Sequence, residues 1–522
     1  MKPRIFAAQR VHSFSAQPQR GNALLTAAGR VLLLGDVQEL RAAWPQAEVI
    51  DFGAATITPG LTDAHIHITE WALARHQVEL ADAATIDECL QIIAGTKPGQ
   101  GWLQGRGWNP HHWGGGYPDR HQLDAVVSDR PAALQSHDMH ALWVNARALQ
   151  LAGIDRHTPD PEGGRIVRDT RGEPTGMLLE TAAQLVVRAI PLPDEHDMLD
   201  AVQDAQRALH GYGITGIHSF PGVHLPEPDP LTILTRMQAE DRLRLRVLQH
   251  ISAEKLASAI ALGLRSGFGG EWIRMGGIKM FLDGALGSRT AWMRESYEGS
   301  IERGVQVLTR DEFQRLVTEA ATHNIAAVVH AIGDAAVAMA FDVLCQAPRV
   351  QALPHRVEHV QCFPRESEGM LASGIICSVQ PCHLMTDWRA ADRHWGTRSA
   401  ATYAFRTMLD GGAILACGSD APVESADPRL GLYAAVARRD ATHLPEQGWH
   451  VEQRISLREA WSGYTIGAAE AAGAAGQQGV LQPGAHADLA VWQQDPFEVQ
   501  DRELLDLRVV ATVVNGAVVF ES

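Results

Sequence analysis

Eight short apolar runs recur between residues 58 and 420, and segments with helical spacing separate most of them. The first is TPGLTDAHIHI, from Thr58 to Ile68; the others are ITGIHSF, RLRVLQHIS, IRMGGIKMFLDG, NIAAVVHAIGD, HRVEHVQ, GIICSVQP and GAILACGSD. Intervening stretches such as MLDAVQDAQRALHGYG, RDEFQRLVTEAATHN and AAVAMAFDVLCQ carry apolar residues on one helical face. Gly211 and Gly213 provide a stop for the first of them. Strand and helix alternating at this interval predict an α/β fold, a (β/α)₈ TIM barrel. Functional side chains in that fold gather at the C-terminal ends of the strands.

The two chain ends have a different texture. RIFAAQRVHSF and ALLTAAGRVLLLG read as short strands, with a hairpin tip at Ala28-Gly29. Near the other end, ADLAVW reads as a strand and VVATVVNGAVVF as a hairpin turning at Asn515-Gly516. Neither end can build a core alone, so residues 1–57 and 479–522 are expected to form one small β-sandwich domain. The barrel then occupies 58–478, with an insertion at about 71–195 after its first strand. The insertion is rich in Trp, Gly and His (GWLQGRGWNPHHWGGGYPDR) and reads as loops, with one hairpin turning near Arg171-Gly172. Its expected role is to cover and shape the site.

Composition narrows the function. Apolar residues make up 45% and charged residues 20% of 522, a soluble globular profile. A formal net charge of −16 argues against nucleic acid or an anionic membrane as partner. The start, MKPRIFAAQRVHSF, has no continuous apolar segment, so no signal peptide is expected, and no run approaches a membrane span. The six cysteines form no close-spaced framework, which fits reduced thiols in a cytoplasmic enzyme.

Ligand-type side chains fall where the barrel would put a site. His65 and His67 share one face of the first strand, since alternate side chains point the same way. His218, His250, Lys279, His330, His359 and Asp420 lie at or near the ends of later strands. Such a set of imidazoles and a carboxylate suits Zn²⁺, with Mn²⁺, Fe²⁺ or Co²⁺ as alternatives. Lys279 reads either as the partner of Asp283 or another carboxylate, or as an amine whose pKa burial has lowered.

Taken together, AHIH, IKMFLDGALGSRTA, HAIGD, RVEHVQ and CGSDAPV resemble the metal-dependent amidohydrolase superfamily, in the branch that includes N-substituted formamide deformylases. The likeness extends over nearly the whole chain, including SHDMHALWVN and GEPTGMLLE in the insertion. The resemblance implies that His65, His67 and Asp420 hold one metal and that His330 and His359 hold a second. It implies too that Lys279, carboxylated to a carbamate, bridges them if the centre is binuclear. It makes Asp420 the catalytic residue that orients water and shuttles its proton, and it implies a homodimer. The expected reaction is hydrolysis of a C–N bond in a small amide-type molecule, N-formyl or N-acyl.

Further candidates are weaker. His218 or His250 could polarise the scissile carbonyl. Arg289 is a candidate for an anionic substrate group, or for loop structure. Asp138 and His140 could reach the site from the insertion, and Trp108, Trp113 and Tyr117 could line an apolar pocket or pack the insertion's own core. Asp334 reads as a helix N-cap or a partner to a ligand. Two other functions use the same scaffold: a single-metal deaminase of a cyclic amidine, with Lys279 unmodified, and a non-catalytic barrel.

Overall fold

The computed structural model describes residues 2–16, 21–96, 101–109, 117–136, 141–161, 163–222 and 229–522. They fall into two compact units. One comprises Met1–Trp71, Val202–Pro221 and Asp229–Ser522; the other is chiefly Ala72–Ala201.

The first unit contains the barrel. Its strands are β1 (Leu61–Ile66), β2 (Ile214–Ser219), β3 (Arg246–Ser252), β4 (Ile273–Phe281), β5 (Ala327–Ala331), β6 (Arg356–His359), β7 (Ile376–Val379) and β8 (Ile414–Cys417). All eight are parallel and lie in one sheet in sequence order. Each of the eight apolar runs contains one of these strands. The sheet closes just past its ends, where Ile66 bridges Ala421 and the Asp420 amide donates to the His65 carbonyl at 2.7 Å.

Strand identity follows from burial. β1, β2, β6 and β7 are buried along their whole length, as parallel strands covered on both faces must be. The helix Arg310–Thr322 shows the complementary pattern. Thr309 caps it in a capping box with Glu312, and Phe313, Val317, Ala320 and Ala321 form its buried face. Burial of the Phe and Val side chains stabilises by roughly 1.5–3 kcal/mol each.

Two further sheets in this unit come from the chain ends. One runs Arg30–Gly35, Ala23–Ala27, Arg4–Ala7, Glu48–Asp51; the other runs Arg10–Val11, Thr56–Pro59, Leu489–Trp492, Val509–Val514, Ala517–Glu521. In the second, Pro59 pairs with Leu489, so the ends of the chain share a ladder. Phe6, Leu24 and Val31 of the first sheet pack in one core with Ile57, Leu489, Val491 and Val513 of the second. Both expected hairpin tips are present: Ala28 and Gly29 have φ of 49° and 76°, Asn515 and Gly516 54° and 72°. Positive φ at both central residues matches the right-handed twist of the flanking strands.

The second unit differs from the loop-rich expectation. It carries a six-stranded sheet ordered Gly164–Arg168, Pro174–Glu180, Ala141–Val144, Ala132–Ser136, Leu103–Trp108, Val78–Glu79. Only the hairpin through Gly172 (φ 81°) was legible in advance. Its core is Trp108, Leu123, Leu134, Trp143 and Met177. Trp108 is fully buried there, and its indole N–H donates to the Leu134 carbonyl at 2.7 Å. That corrects its reading as a pocket-lining side chain. Tyr117 is 49% exposed, whereas Trp113, Asp138 and His140 lie outside the described residues.

Candidate active site

β1 delivers His65 and His67 to the closing seam of the barrel, and each ring has one nitrogen already engaged. His65 Nδ1 lies 2.6 Å from Glu358 Oε2, and His67 Nδ1 lies 2.6 Å from the Pro221 carbonyl oxygen. Both acceptors require a hydrogen on Nδ1, which leaves each Nε2 with a lone pair. Both Nε2 atoms point at Asp420 Oδ1, each 3.3 Å away. His65 Nε2 is buried and makes no hydrogen bond among the described residues. The candidate ligand atoms of His65, His67 and Asp420 lie within 4.8 Å of one another.

Lone pairs and a carboxylate converging in a buried space need a cation. Burial opposes protonation of His67, but the hydrogen bond and charge of Asp420 outweigh it and raise its pKa. Burial pushes His65 down to about 4. Desolvation acts against the Asp420 carboxylate too, yet the imidazoles hold its pKa well below the ordinary carboxylate range. The shifts at His67 and Asp420 mark the space between them as one that favours positive charge, which a divalent ion would supply. The trio fits a metal in donor type, tautomer and spacing.

The barrel seam is fixed by a side chain that the sequence reading passed over. Asp63 Oδ1 accepts from the amides of His65 and Ser419, both at 3.0 Å, and Oδ2 from the Ser419 hydroxyl at 2.5 Å. It therefore ties β1 to the residue before Asp420. Asp420 itself has φ 61°, and His359 and Val360 have φ 72° and 46°. Left-handed backbone at these non-glycine residues costs of order 1 kcal/mol each and clusters at the site.

His330 and His359 form a neighbouring pair. Their rings are 4.4 Å apart, and His359 is 5.3 Å from the His65 ring. His330 Nε2 donates to the Gly284 carbonyl at 3.1 Å. Burial lowers His330 to about 3 and lowers His359 strongly. Lys279 is buried with its Nζ 4.7 Å from the Phe220 ring centroid and 5.0 Å from that of Phe281. Among the described residues it has no ion pair, and burial lowers its pKa to about 8. The expected partner Asp283 accepts instead from the amides of Trp292, Ile332 and Gly333.

The structure departs from expectation at other positions. Phe220 stacks on His65 at 3.9 Å and on His250 at 4.4 Å, and so stands between those two imidazoles. His250 Nδ1 accepts from the Gly277 amide, and His218 Nδ1 is bonded to Arg356 at 2.9 Å. Both rings are buried, and the contacts described for them are to the barrel's own residues, whereas the sequence reading made them candidates to meet the substrate carbonyl. Arg289 is exposed on left-handed backbone (φ 56°), with no site side chain against it among the described contacts. Asp334 is the first residue of its helix rather than its cap, and accepts from the Arg294 amide.

Sequence reasoning also missed Arg356 and Glu358. Arg356 bonds Glu358, the Ala64 carbonyl and Ser378, while Glu358 holds His65. A signal existed, since two charged residues at alternate positions of a buried strand must be paired.

A parallel barrel with imidazoles and a carboxylate converging at its strand ends is the layout of a metal-dependent hydrolase. A family model described as the amidohydrolase family matches residues 48–520. YtcJ of Bacillus subtilis, a protein assigned to the amidohydrolases, is 30% identical over 98% of both chains. The N-substituted formamide deformylase of Arthrobacter pascens is 29% identical over 98% of this chain and 97% of its own. An uncharacterised metal-dependent hydrolase from Pyrococcus horikoshii superposes with TM-score 0.79 at 25% identity, covering 95% of this chain and 99% of that one. The chain belongs to the amidohydrolase family, and it is a hydrolase.

Proposed function

We propose that this hydrolase cleaves the C–N bond of a small amide-type molecule, N-formyl or N-acyl, to a carboxylate and an amine. The observation that carries the reading is the convergence of two proton-free imidazole nitrogens on one oxygen of Asp420. His65, His67 and Asp420 would hold one divalent ion, Zn²⁺ by donor type, with Mn²⁺, Fe²⁺ or Co²⁺ as alternatives. His330 and His359 would hold a second, with a Lys279 carbamate between the two. When bound, such an ion acidifies water and polarises a carbonyl.

The chain's own residues supply the rest. Glu358 and the Pro221 carbonyl fix the two imidazoles in orientation and tautomer. Asp420 takes a proton from the attacking water at one oxygen and returns it to the leaving nitrogen. Free thiols throughout, five of the six buried, accord with a cytoplasmic enzyme. The homodimer rests on the family resemblance.

A second reading is a single-metal deaminase of a cyclic amidine. It is favoured by the tight grouping of His65, His67 and Asp420 alone, with Lys279 set against aromatic rings. Metal stoichiometry per chain together with electron density at Lys279 Nζ separates the two.

The test is elemental analysis of the purified protein, followed by a screen of N-formyl, N-acyl and cyclic amides. The expected result is bound transition metal and amide turnover that a chelator abolishes and Zn²⁺ restores. Asp420→Asn should lower kcat by about 100- to 10,000-fold with the fold retained. A protein with no metal, and neither stabilised nor activated by Zn²⁺ or Mn²⁺, would overturn the proposal.

A further inference from the structure

Asp420 presents its two oxygens to different neighbours. Oδ1 faces the His65 and His67 nitrogens, while Oδ2 faces a residue from another strand end, His383, whose Nε2 is 3.8 Å away. His383 closes the turn Pro381–His383 that follows β7, and its ring is 6.3 Å from that of His359. Its side chain keeps 12% exposure, whereas His218 and His250 are sealed in the interior.

The ring is held in place. His383 Nε2 lies 3.3 Å from the Ser419 carbonyl oxygen, an acceptor that puts the hydrogen on Nε2. The helix Leu384–Trp395 that it opens is anchored twice. Asp387 accepts from the Gln361 amide and the Tyr403 hydroxyl, each at 2.7 Å, and Thr386 donates to Glu424 at 2.6 Å. Since Glu424 follows Asp420 closely in sequence, His383 and Asp420 sit on segments tied to each other.

With Oδ1 committed to the imidazole pair, Oδ2 is the oxygen left to meet the leaving nitrogen. The group standing beside Oδ2 meets it too. We propose that His383 contacts the leaving-group side of the substrate, its one Nε2 hydrogen shared between the Ser419 carbonyl, a long contact at 3.3 Å, and the leaving nitrogen as the C–N bond opens. This rests on the amide-hydrolase reading. In that reaction the water oxygen bonds to the carbonyl carbon and the C–N electron pair stays on nitrogen. Asp420 carries the water proton to that nitrogen, and His383 keeps its own proton throughout.

Formanilides with graded leaving anilines test the contact, using metal-loaded wild type, His383→Ala and His383→Gln. The alanine variant should lose about 100-fold in kcat/KM, as for removal of one positioned donor. The loss should grow as the leaving aniline becomes more basic. The glutamine variant, with an amide N–H near the Nε2 position, should regain about ten-fold of it. A loss under three-fold, or one equal for every aniline, overturns the proposal. Aniline, titrated calorimetrically into the same proteins, separates this from failure of the amide reading. Binding about ten-fold weaker in His383→Ala supports the contact even if no formanilide is cleaved, in which case the amide reading alone falls. Equal affinity, or no binding by wild type, overturns it.

Discussion

Glu358 Oε2 sits 2.6 Å from His65 Nδ1 with both side chains at 1% exposure or less, and the same carboxylate pairs with Arg356. One buried anion thus both neutralises a guanidinium and sets the tautomer of a candidate metal ligand. Glu358→Gln should break both functions. A glutamine amide can donate to Nδ1, which would move the hydrogen to Nε2 and turn the lone pair away from Asp420. We expect metal affinity weaker by about 10- to 100-fold, measured by competition with a chromogenic chelator. The Arg356 charge left alone should cost roughly 3–5 kcal/mol in urea unfolding. Unchanged affinity would refute the tautomer argument.

Gly418 admits no side chain. A Cβ there would lie 2.3 Å from the His65 backbone nitrogen and 2.8 Å from Asp63 Oδ1. Neither atom can retreat without opening the seam between β1 and β8. Gly418→Ala should therefore lower the thermal midpoint and abolish metal retention together, read by calorimetry and elemental analysis. A variant that binds metal normally would show the seam to be more pliant than its hydrogen bonds indicate.

His210 gives stability a pH dependence far from the site. Burial lowers its pKa from 6.5 to about 4, and its Nε2 donates to the Arg244 carbonyl at 2.9 Å. Between those values the unfolded chain binds more protons than the folded one, so stability falls as pH falls through that window. From pH 6.5 to 5 the loss should be about 2 kcal/mol. His210→Gln keeps a donor without the titration, and its urea-unfolding free energy should lose about 2 kcal/mol less than wild type over the same interval. Equal slopes would rule His210 out as the source.

Trp108 is a core residue of the second unit, not a substrate contact. Trp108→Ala should destabilise that unit by about 3–5 kcal/mol. Limited proteolysis should then cut first within residues 72–201. Wild-type resistance to protease would contradict this account.

The barrel was legible because its strands are covered on both faces, and a strand such as AVVHA has no polar face to blur the pattern. The candidate ligands were legible because the fold places strand ends together. What escaped were features that depend on space. LQGRGW does not read as a strand, yet it forms one because Gly105 and Gly107 accept close neighbours at Leu134 and Ala81. His218 and His250 satisfy the strand-end rule, but the Phe220 ring fills the space before His250, and Arg356 engages His218. His383 lies beyond the end of its strand, in a turn whose direction no periodicity encodes.

Asp63 and Ser419, whose hydrogen bond closes the barrel, are 356 residues apart in the chain. A ribosome adding about 5–20 residues per second needs roughly 20 to 70 s between them. Throughout that time the nascent chain carries two imidazoles with no carboxylate opposite. Ion capture by this trio would therefore be a late event in biosynthesis, and a product terminated before the eighth strand would hold cations only weakly.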